Sequence, residues 1–386
     1  MKKEFQCKTK YINIRMSEVW ACGFNGFSQL TADSIESKIK TLQAIHLGLE
    51  DKEKLTECEI SWSFIAWLTD QHRLITCGFS PDKLDSSVKP TLQATTISVL
   101  SSHLIMMDSN STLQEWRHGR FMHVSLKGVE IFKPKQIHSK EMNCVAISEE
   151  NVPVEISPVY HQSSIEYICK PLSLGCAIRS VACGVDHVLM LSDFGSVFSY
   201  GSGSRGQTGD GTTEDICGQP KVIEALEGVR MVLIASGNWH SAAVSEFGDL
   251  YMWGWNECGQ LGILCRKNLD HEFKITDDCS EKNDAVTIQA LPYLVLPPDD
   301  KEEDIVVAKV ACGARHTAVL TNSCKLFTCG WNGYGQLGLG DCYNRDRLTY
   351  VQDQHLPSLK CQPEQLDIYC GSWNTILVLQ KTETKS

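Results

Sequence analysis

The sequence predicts an all-β fold, a seven-bladed β-propeller closed by N- and C-terminal strands that share one blade. Three observations lead there. A glycine-and-histidine phrase recurs in fixed phase with a second, glycine-rich phrase. The apolar runs between them are short and broken by turn residues, as in hairpins. The two ends of the chain carry complementary halves of the repeat.

The clearest copy opens at Gly184-Val185-Asp186-His187, turns at Asp193-Phe194-Gly195 and closes at Tyr200-Gly201. It recurs from Gly237-Asn238-Trp239-His240 to Trp253-Gly254, and from Gly313-Ala314-Arg315-His316 to Cys329-Gly330. Opening and closing glycines stand 17 residues apart in all three copies. Behind the closing glycine, Gly254-Trp255-Asn256-Glu257-Cys258-Gly259-Gln260-Leu261-Gly262 matches Gly330-Trp331-Asn332-Gly333-Tyr334-Gly335-Gln336-Leu337-Gly338, with a weaker copy at residues 201–209. The run 187–191 is apolar on both faces, so its strand is sandwiched. Glycine landmarks suit sharp turns or close backbone approach. Small sheets repeating at about 40 to 50 residues stack radially.

Residues 61–78 span the same 17 positions, with a turn at Asp70-Gln71-His72-Arg73. Residues 104–107 and 113–116 form a further copy without glycine landmarks, and 145–148 with 152–156 a third. Leu366-Asp367-Ile368-Tyr369-Cys370-Gly371-Ser372-Trp373-Asn374 is a front half without a back, and residues 20–30 are a back half without a front. Joining them completes a blade and removes exposed sheet edges. The domain reads as one propeller over 11–380, with irregular blades about 80–162 and a tail at 381–386. Residues 31–57, 80–96, 117–143 and 265–304 read as connections.

The connection at 265–304 is an acidic insertion, with Asp277-Asp278 and Glu302-Glu303-Asp304 at its core. Such charge runs are solvated loops or, more sharply, docking loops for a basic partner. Net charge of −11 argues against a phosphate-binding footprint, so direct nucleic-acid binding is not expected. No apolar run approaches membrane-spanning length, and no apolar signal region follows the charged first ten residues. The 18 cysteines contain no Cys-x-x-Cys pair, which points to reduced thiols in an intracellular chain.

Repetition also weighs against chemistry. Ligands for one metal ion must converge within about 2.1 Å of it, whereas His187, His240 and His316 occupy equivalent points on different blades. They read, with Gly184, Gly237, Gly313, Gly371 and Asn374, as structural repeat positions in which imidazoles tie strands together. Asp186-His187 and His240-Ser241 are neighbours on strands whose successive side chains point apart, so no triad is expected. Cysteines recur by blade, as core residues do. Trp239, Trp253 and Trp373 read as inter-blade core, while Trp255 and Trp331, nearer a loop, are candidate partner-binding residues with Asp277, Asp278, Glu302 and Glu303. Gly201-Ser202-Gly203-Ser204-Arg205-Gly206 lacks the βαβ setting of a dinucleotide fingerprint. No catalytic residue, cofactor or metal is expected.

These phrases resemble the regulator of chromosome condensation family, above all across residues 180–379 and 20–30. The resemblance implies a single, monomeric seven-bladed propeller. Its small members imply a nuclear, chromatin-linked protein-interaction scaffold working beside a JmjC-type oxygenase in histone methylation and chromosome function. The alternative it implies is a guanine nucleotide exchange factor for a Ran-like small GTPase, although fold alone does not carry that activity.

Overall fold

The computed structural model describes residues 17–31, 36–50, 53–79, 93–100, 103–117, 120–129, 132–141, 143–161, 164–265, 285–296, 305–352 and 362–380. β1 (Ser17–Phe24) and β2 (Lys38–Ile45) are followed by a three-stranded sheet of β3 (Leu55–Ile60), β4 (Phe64–Thr69) and β5 (Leu74–Gly78). One meander then runs through β6 (Ala94–Leu100), β7 (His103–Asp108), β8 (Leu113–Arg117) and β9 (Arg120–Lys127). A second runs through β10 (Pro134–Lys140), β11 (Asn143–Ser148), β12 (Pro153–Tyr160) and β13 (Ile165–Pro171). Their outer strands pair in parallel, from Ile165↔Val124 to Ile168↔Lys127, which fuses the two meanders into an eight-stranded sheet.

Three regular four-stranded antiparallel sheets follow. They are β14 (Ile178–Cys183), β15 (His187–Ser192), β16 (Val197–Gly201) and β17 (Ile216–Val222); β18 (Met231–Ser236), β19 (His240–Ser245), β20 (Leu250–Trp255) and β21 (Ile288–Val295); and β22 (Val307–Cys312), β23 (His316–Thr321), β24 (Leu326–Gly330) and β25 (Arg345–Tyr350). β26 (Leu366–Cys370) and β27 (Asn374–Gln380) end the described chain. β27 pairs with β1 from Ser17↔Gln380 to Gly23↔Asn374, giving a sheet of order β2-β1-β27-β26. The two ends of the chain thus share one sheet.

Burial follows strand position. Every residue of β15, β19 and β23 is buried, because each of these strands packs on both faces. An apolar cluster lies between each consecutive pair of meanders. Met252 and Val244 of one sheet, for example, share a cluster with Val319 and Phe327 of the next. The closing sheet packs Val19 and Ile376 toward Trp67 on one side, and Trp20 and Leu377 toward Leu320 on the other. The strands β3, β6, β10, β14, β18, β22 and β26 together line one axial cavity of about 320 Å³.

The architecture is therefore a β-propeller with its blades set around an axis. Where seven separate blades were expected, five sheets of four or more strands are present among the described residues. Two departures cause the difference. β3, β4 and β5 lack a fourth strand of their own, and the β9–β13 pairing merges two meanders into one sheet. The supposed connections are also corrected. Residues 31–57 hold β2 and the start of β3, residues 117–143 hold β9 and β10, and the acidic stretch 265–304 holds β21. Asp277, Asp278, Glu302 and Glu303 lie outside the described residues, as do 80–92 and the tail 381–386.

Candidate functional site

The repeat phrases first build a latch between blades. His187 Nε2 lies 2.9 Å from Ser241 Oγ, His240 Nε2 3.0 Å from Thr317 Oγ1, and His316 Nε2 3.1 Å from Thr375 Oγ1, each hydroxyl belonging to the following sheet. Those hydroxyls donate in turn to the carbonyls of Gln207 (2.9 Å), Gln260 (2.7 Å) and Gln336 (2.7 Å). The opening glycine is required because its own imidazole folds back on it. A Cβ on Gly313 would collide with the His316 ring and sit 2.7 Å from the Gly371 carbonyl oxygen of the next sheet. At the same phase Asn374 Nδ2 donates to the Phe24 carbonyl at 2.6 Å.

One expectation fails here in an informative way. Asp186 Oδ1 stands 3.8 Å from His187 Nδ1, and His187 meets Ser241, so three triad residue types do converge. The chemistry is nonetheless absent. Ser241 and His187 are fully buried, and the serine gives its only hydroxyl proton to Gln207. His187 Nε2 must then be the donor, which leaves no base facing the hydroxyl. Burial also holds these imidazoles neutral: it pushes His316 down to about 3, His240 well below the ordinary histidine range, and His187 in the same direction. Among the described residues no group of three or more His, Cys, Asp or Glu side chains is arranged to hold a metal.

The same phrases then present a rim. The residue after each closing glycine donates its N–H to the residue just before the latch position. Ser202 bonds Asp186 O (2.8 Å), Trp255 bonds Trp239 O (2.8 Å), Trp331 bonds Arg315 O (2.7 Å) and Phe24 bonds Trp373 O (3.0 Å). Closing glycines make room for that carbonyl. Gly254 has φ +104°, and a Cβ there would stand 2.6 Å from Trp239 O. The following turn is fixed by its own side chains. Asn256 Oδ1 accepts Leu261 N–H (3.0 Å), and Gln260 Oε1 accepts Cys258 N–H (2.9 Å). Asn332 and Gln336 repeat both bonds.

The result is an aromatic and cationic arc along one rim. Arg205 lies over Trp239 (4.6 Å) and Trp255 (4.9 Å), and Arg315 also lies over Trp255 (4.6 Å) while reaching Glu257 at 3.6 Å. Trp331 packs edge-on against Trp373 (4.9 Å) and Tyr334 (5.2 Å), and Tyr334 continues to Phe24 (4.8 Å). Phe24 leads to Phe27 (5.6 Å), which meets Trp62 (5.1 Å) and Phe79 (6.0 Å), with Lys38 over the Tyr334 ring. Trp62 and Phe79 are about half exposed, at 45% and 52%. Rings packed edge-to-face, tilted or stacked, with cations on some of their faces, form a fixed aromatic and cationic surface.

Trp255 and Trp331 therefore stand on one rim, but so do Trp239 and Trp373, which the sequence assigned to the core. Trp253 alone of that group is buried, its Nε1 donating to Gln207 O at 3.0 Å. Arg205, Arg315 and Tyr334 were not singled out. Their signal was phase: each falls immediately before a latch histidine or inside the turn after a closing glycine.

Comparison with known proteins agrees with this geometry. Residues 195–244, 248–320 and 325–378 match the regulator of chromosome condensation (RCC1) repeat, and a second description of the same repeat matches 178–207, 231–260 and 307–336. The chain is 38% identical over 224 residues to RCC1 domain-containing protein 1 of Mus musculus, covering 54% of this chain and 57% of that protein. The Homo sapiens protein of the same name is 36% identical over 223 residues, covering 53% and 57%. The chain thus spans little more than half the length of these curated relatives. In fold it is similar to yeast RCC1 (Prp20) solved bound to Kap60, with a TM-score of 0.73 at 14% identity, covering 100% of this chain and 95% of that one. Through the repeats of residues 178–378, this chain belongs to the RCC1 repeat family.

Proposed function

We propose that the chain is a non-catalytic protein-interaction scaffold that holds its partner on the aromatic rim. The observation carrying this reading is the pair of aromatic runs, Trp239 with Trp255 and Trp331 through to Phe27, joined by the Trp331 N–H bond to Arg315 O and fixed by backbone bonds that recur from blade to blade. Interface hot spots are enriched in tryptophan, tyrosine and arginine, and these residue types make up most of the arc. Relatives support protein binding in kind: yeast RCC1 (Prp20) is solved with Kap60, and a second yeast structure concerns its binding properties to Gsp1p and histones.

At a finer level the scaffold is a monomeric, nuclear, chromatin-associated adaptor acting with a JmjC-type oxygenase. Seven blades are the preferred count, supported by the seven inner strands lining one axial cavity and by an apolar cluster between each consecutive pair of meanders. The exchange-factor alternative is not favoured, since the rim is a fixed aromatic surface and nothing in its geometry points to nucleotide displacement. Acidic net charge keeps direct nucleic-acid binding outside the proposal. Co-precipitation of a JmjC-type oxygenase from nuclear extract tests it. The wild-type chain retains the oxygenase, and a Trp255→Ala/Trp331→Ala variant of unchanged melting temperature loses it at least tenfold. Equal retention by both would remove the rim from the mechanism.

A further inference from the structure

We propose that the mouth of the axial channel is a carboxylate-binding site anchored by the ammonium group of Lys140. The site is separate from the rim arc, although Trp62 borders both.

Every innermost strand contributes to the cavity wall, and among the described residues Lys140, on β10, is the one lysine or arginine lining it. Its Nζ donates to the Ser236 carbonyl of β18 at 3.2 Å, a bond that crosses between non-adjacent meanders. Among the described residues no carboxylate lies within 4.0 Å of that nitrogen. An ammonium group drawn out of bulk water normally finds a counter-ion.

The surrounding groups offset that charge only weakly. Cys183, Cys312 and Cys370 border the same space from three other sheets, and burial pushes each thiol up to about 12, so all three stay protonated. Glu59 of β3 is pushed up to about 8 by burial and by neighbouring Glu57, against the opposing pull of the Val99 backbone and Lys140, which leaves it largely uncharged at neutral pH. His138, pushed down to about 4 by burial, is neutral as well. The remaining acid of the lining, Glu141, is exposed at the lip. Burial lowers Lys140 itself, and the nearby Glu141 charge offsets only part of that loss of water.

A cavity of about 320 Å³ admits a small acid or the end of one acidic side chain. The thiols and serines around it offer hydrogen bonds but no competing negative charge. The shared chemistry is a carboxylate, carried either by a free small molecule or by a protein docked over the mouth.

The test is acylation of Lys140 by an amine-selective N-hydroxysuccinimide ester, followed by peptide mass spectrometry on the full chain at neutral pH. Three probes are compared: succinate, a hexaglutamate peptide, and uncharged succinamide. Slowing of at least fivefold by succinate assigns a free acid, and slowing by hexaglutamate alone assigns a protein-borne one. Exposed Lys135 serves as the internal control and keeps its rate. Unchanged Lys140 labelling with both acids, or equal slowing by succinamide, overturns the proposal. Calorimetric titration of the successful probe adds a second arm, with binding lost in Lys140→Met and kept in Lys140→Arg. Trp255→Ala leaves the protection intact, so failure of the rim reading and failure of this one are distinguishable.

Discussion

Residues 178–378 and residues 94–171 join neighbouring meanders by different means. In the first region a buried imidazole reaches a hydroxyl of the next sheet, and the glycine phrase exists to seat it. In the second, the outer strands β9 and β13 pair directly and enclose a core containing Ile105, Val124, Ile156 and Tyr167. His103 opens β7 at the latch phase, and it faces Glu115 of its own meander at 3.8 Å. Glu115 is buried and accepts the Tyr167 hydroxyl at 2.7 Å. Asn143, at the same phase of β11, donates to the Gly184 carbonyl at 3.1 Å and couples the irregular region back to the regular one. The lesson is that the glycine-histidine phrase marks a joint. Where strands pair across blades instead, the phrase is free to decay.

Several substitutions break or sharpen this contrast. Gly313→Val drives a side chain into the His316 ring and the Gly371 carbonyl, and should cost upwards of about 3 kcal/mol in denaturant unfolding. Tyr167→Phe removes a hydrogen bond to a buried carboxylate, with an expected loss of about 2 kcal/mol. Hydrogen exchange should then accelerate in β9 and β13 while β22 and β23 keep their protection. Equal acceleration in both regions would mean the joints are not independent. Thr317→Val deletes one latch hydroxyl, costs about 1 to 2 kcal/mol, and should be largely rescued by Thr317→Ser.

The latches also predict a pH dependence. His316 is pushed down to about 3 in the folded chain but regains an ordinary value near 6.5 when unfolded. The unfolded state therefore binds the extra proton. Stability from this group is complete above about pH 6.5 and is lost as pH falls toward 3, by about 1.4 kcal/mol per pH unit. His316→Asn, the residue type already used at Asn374, should flatten the acid limb by about one proton's slope. An unchanged limb would show that the imidazole is not held neutral.

The middle strands were legible in the sequence because both of their faces are packed. HVLMLS in β15 and HTAVLT in β23 read as continuous buried runs. The outer strands and β10 were missed for a physical reason. β25, RDRLTY, faces solvent on the outside, and β10, PKQIHSK, faces the channel within, so neither carries a full apolar pattern. β21 was hidden differently, since its exposed Leu291, Tyr293 and Leu294 sit inside a stretch whose charge suggested a loop. At the rim, phase predicted Trp255 and Trp331 but misassigned Trp239. The two-residue alternation of a strand ends where the backbone turns toward the rim, and Trp239 lies just beyond that point.

The most direct measurement compares two variants in one assay, partner retention and melting temperature for Trp255→Ala/Trp331→Ala and for Thr317→Val. If the repeat residues join blades and the rim residues hold the partner, the tryptophan variant loses the partner at an unchanged melting temperature. Thr317→Val then melts earlier but retains the partner while folded. Partner loss in the folded latch variant, or full retention by the tryptophan variant, would contradict that division of labour.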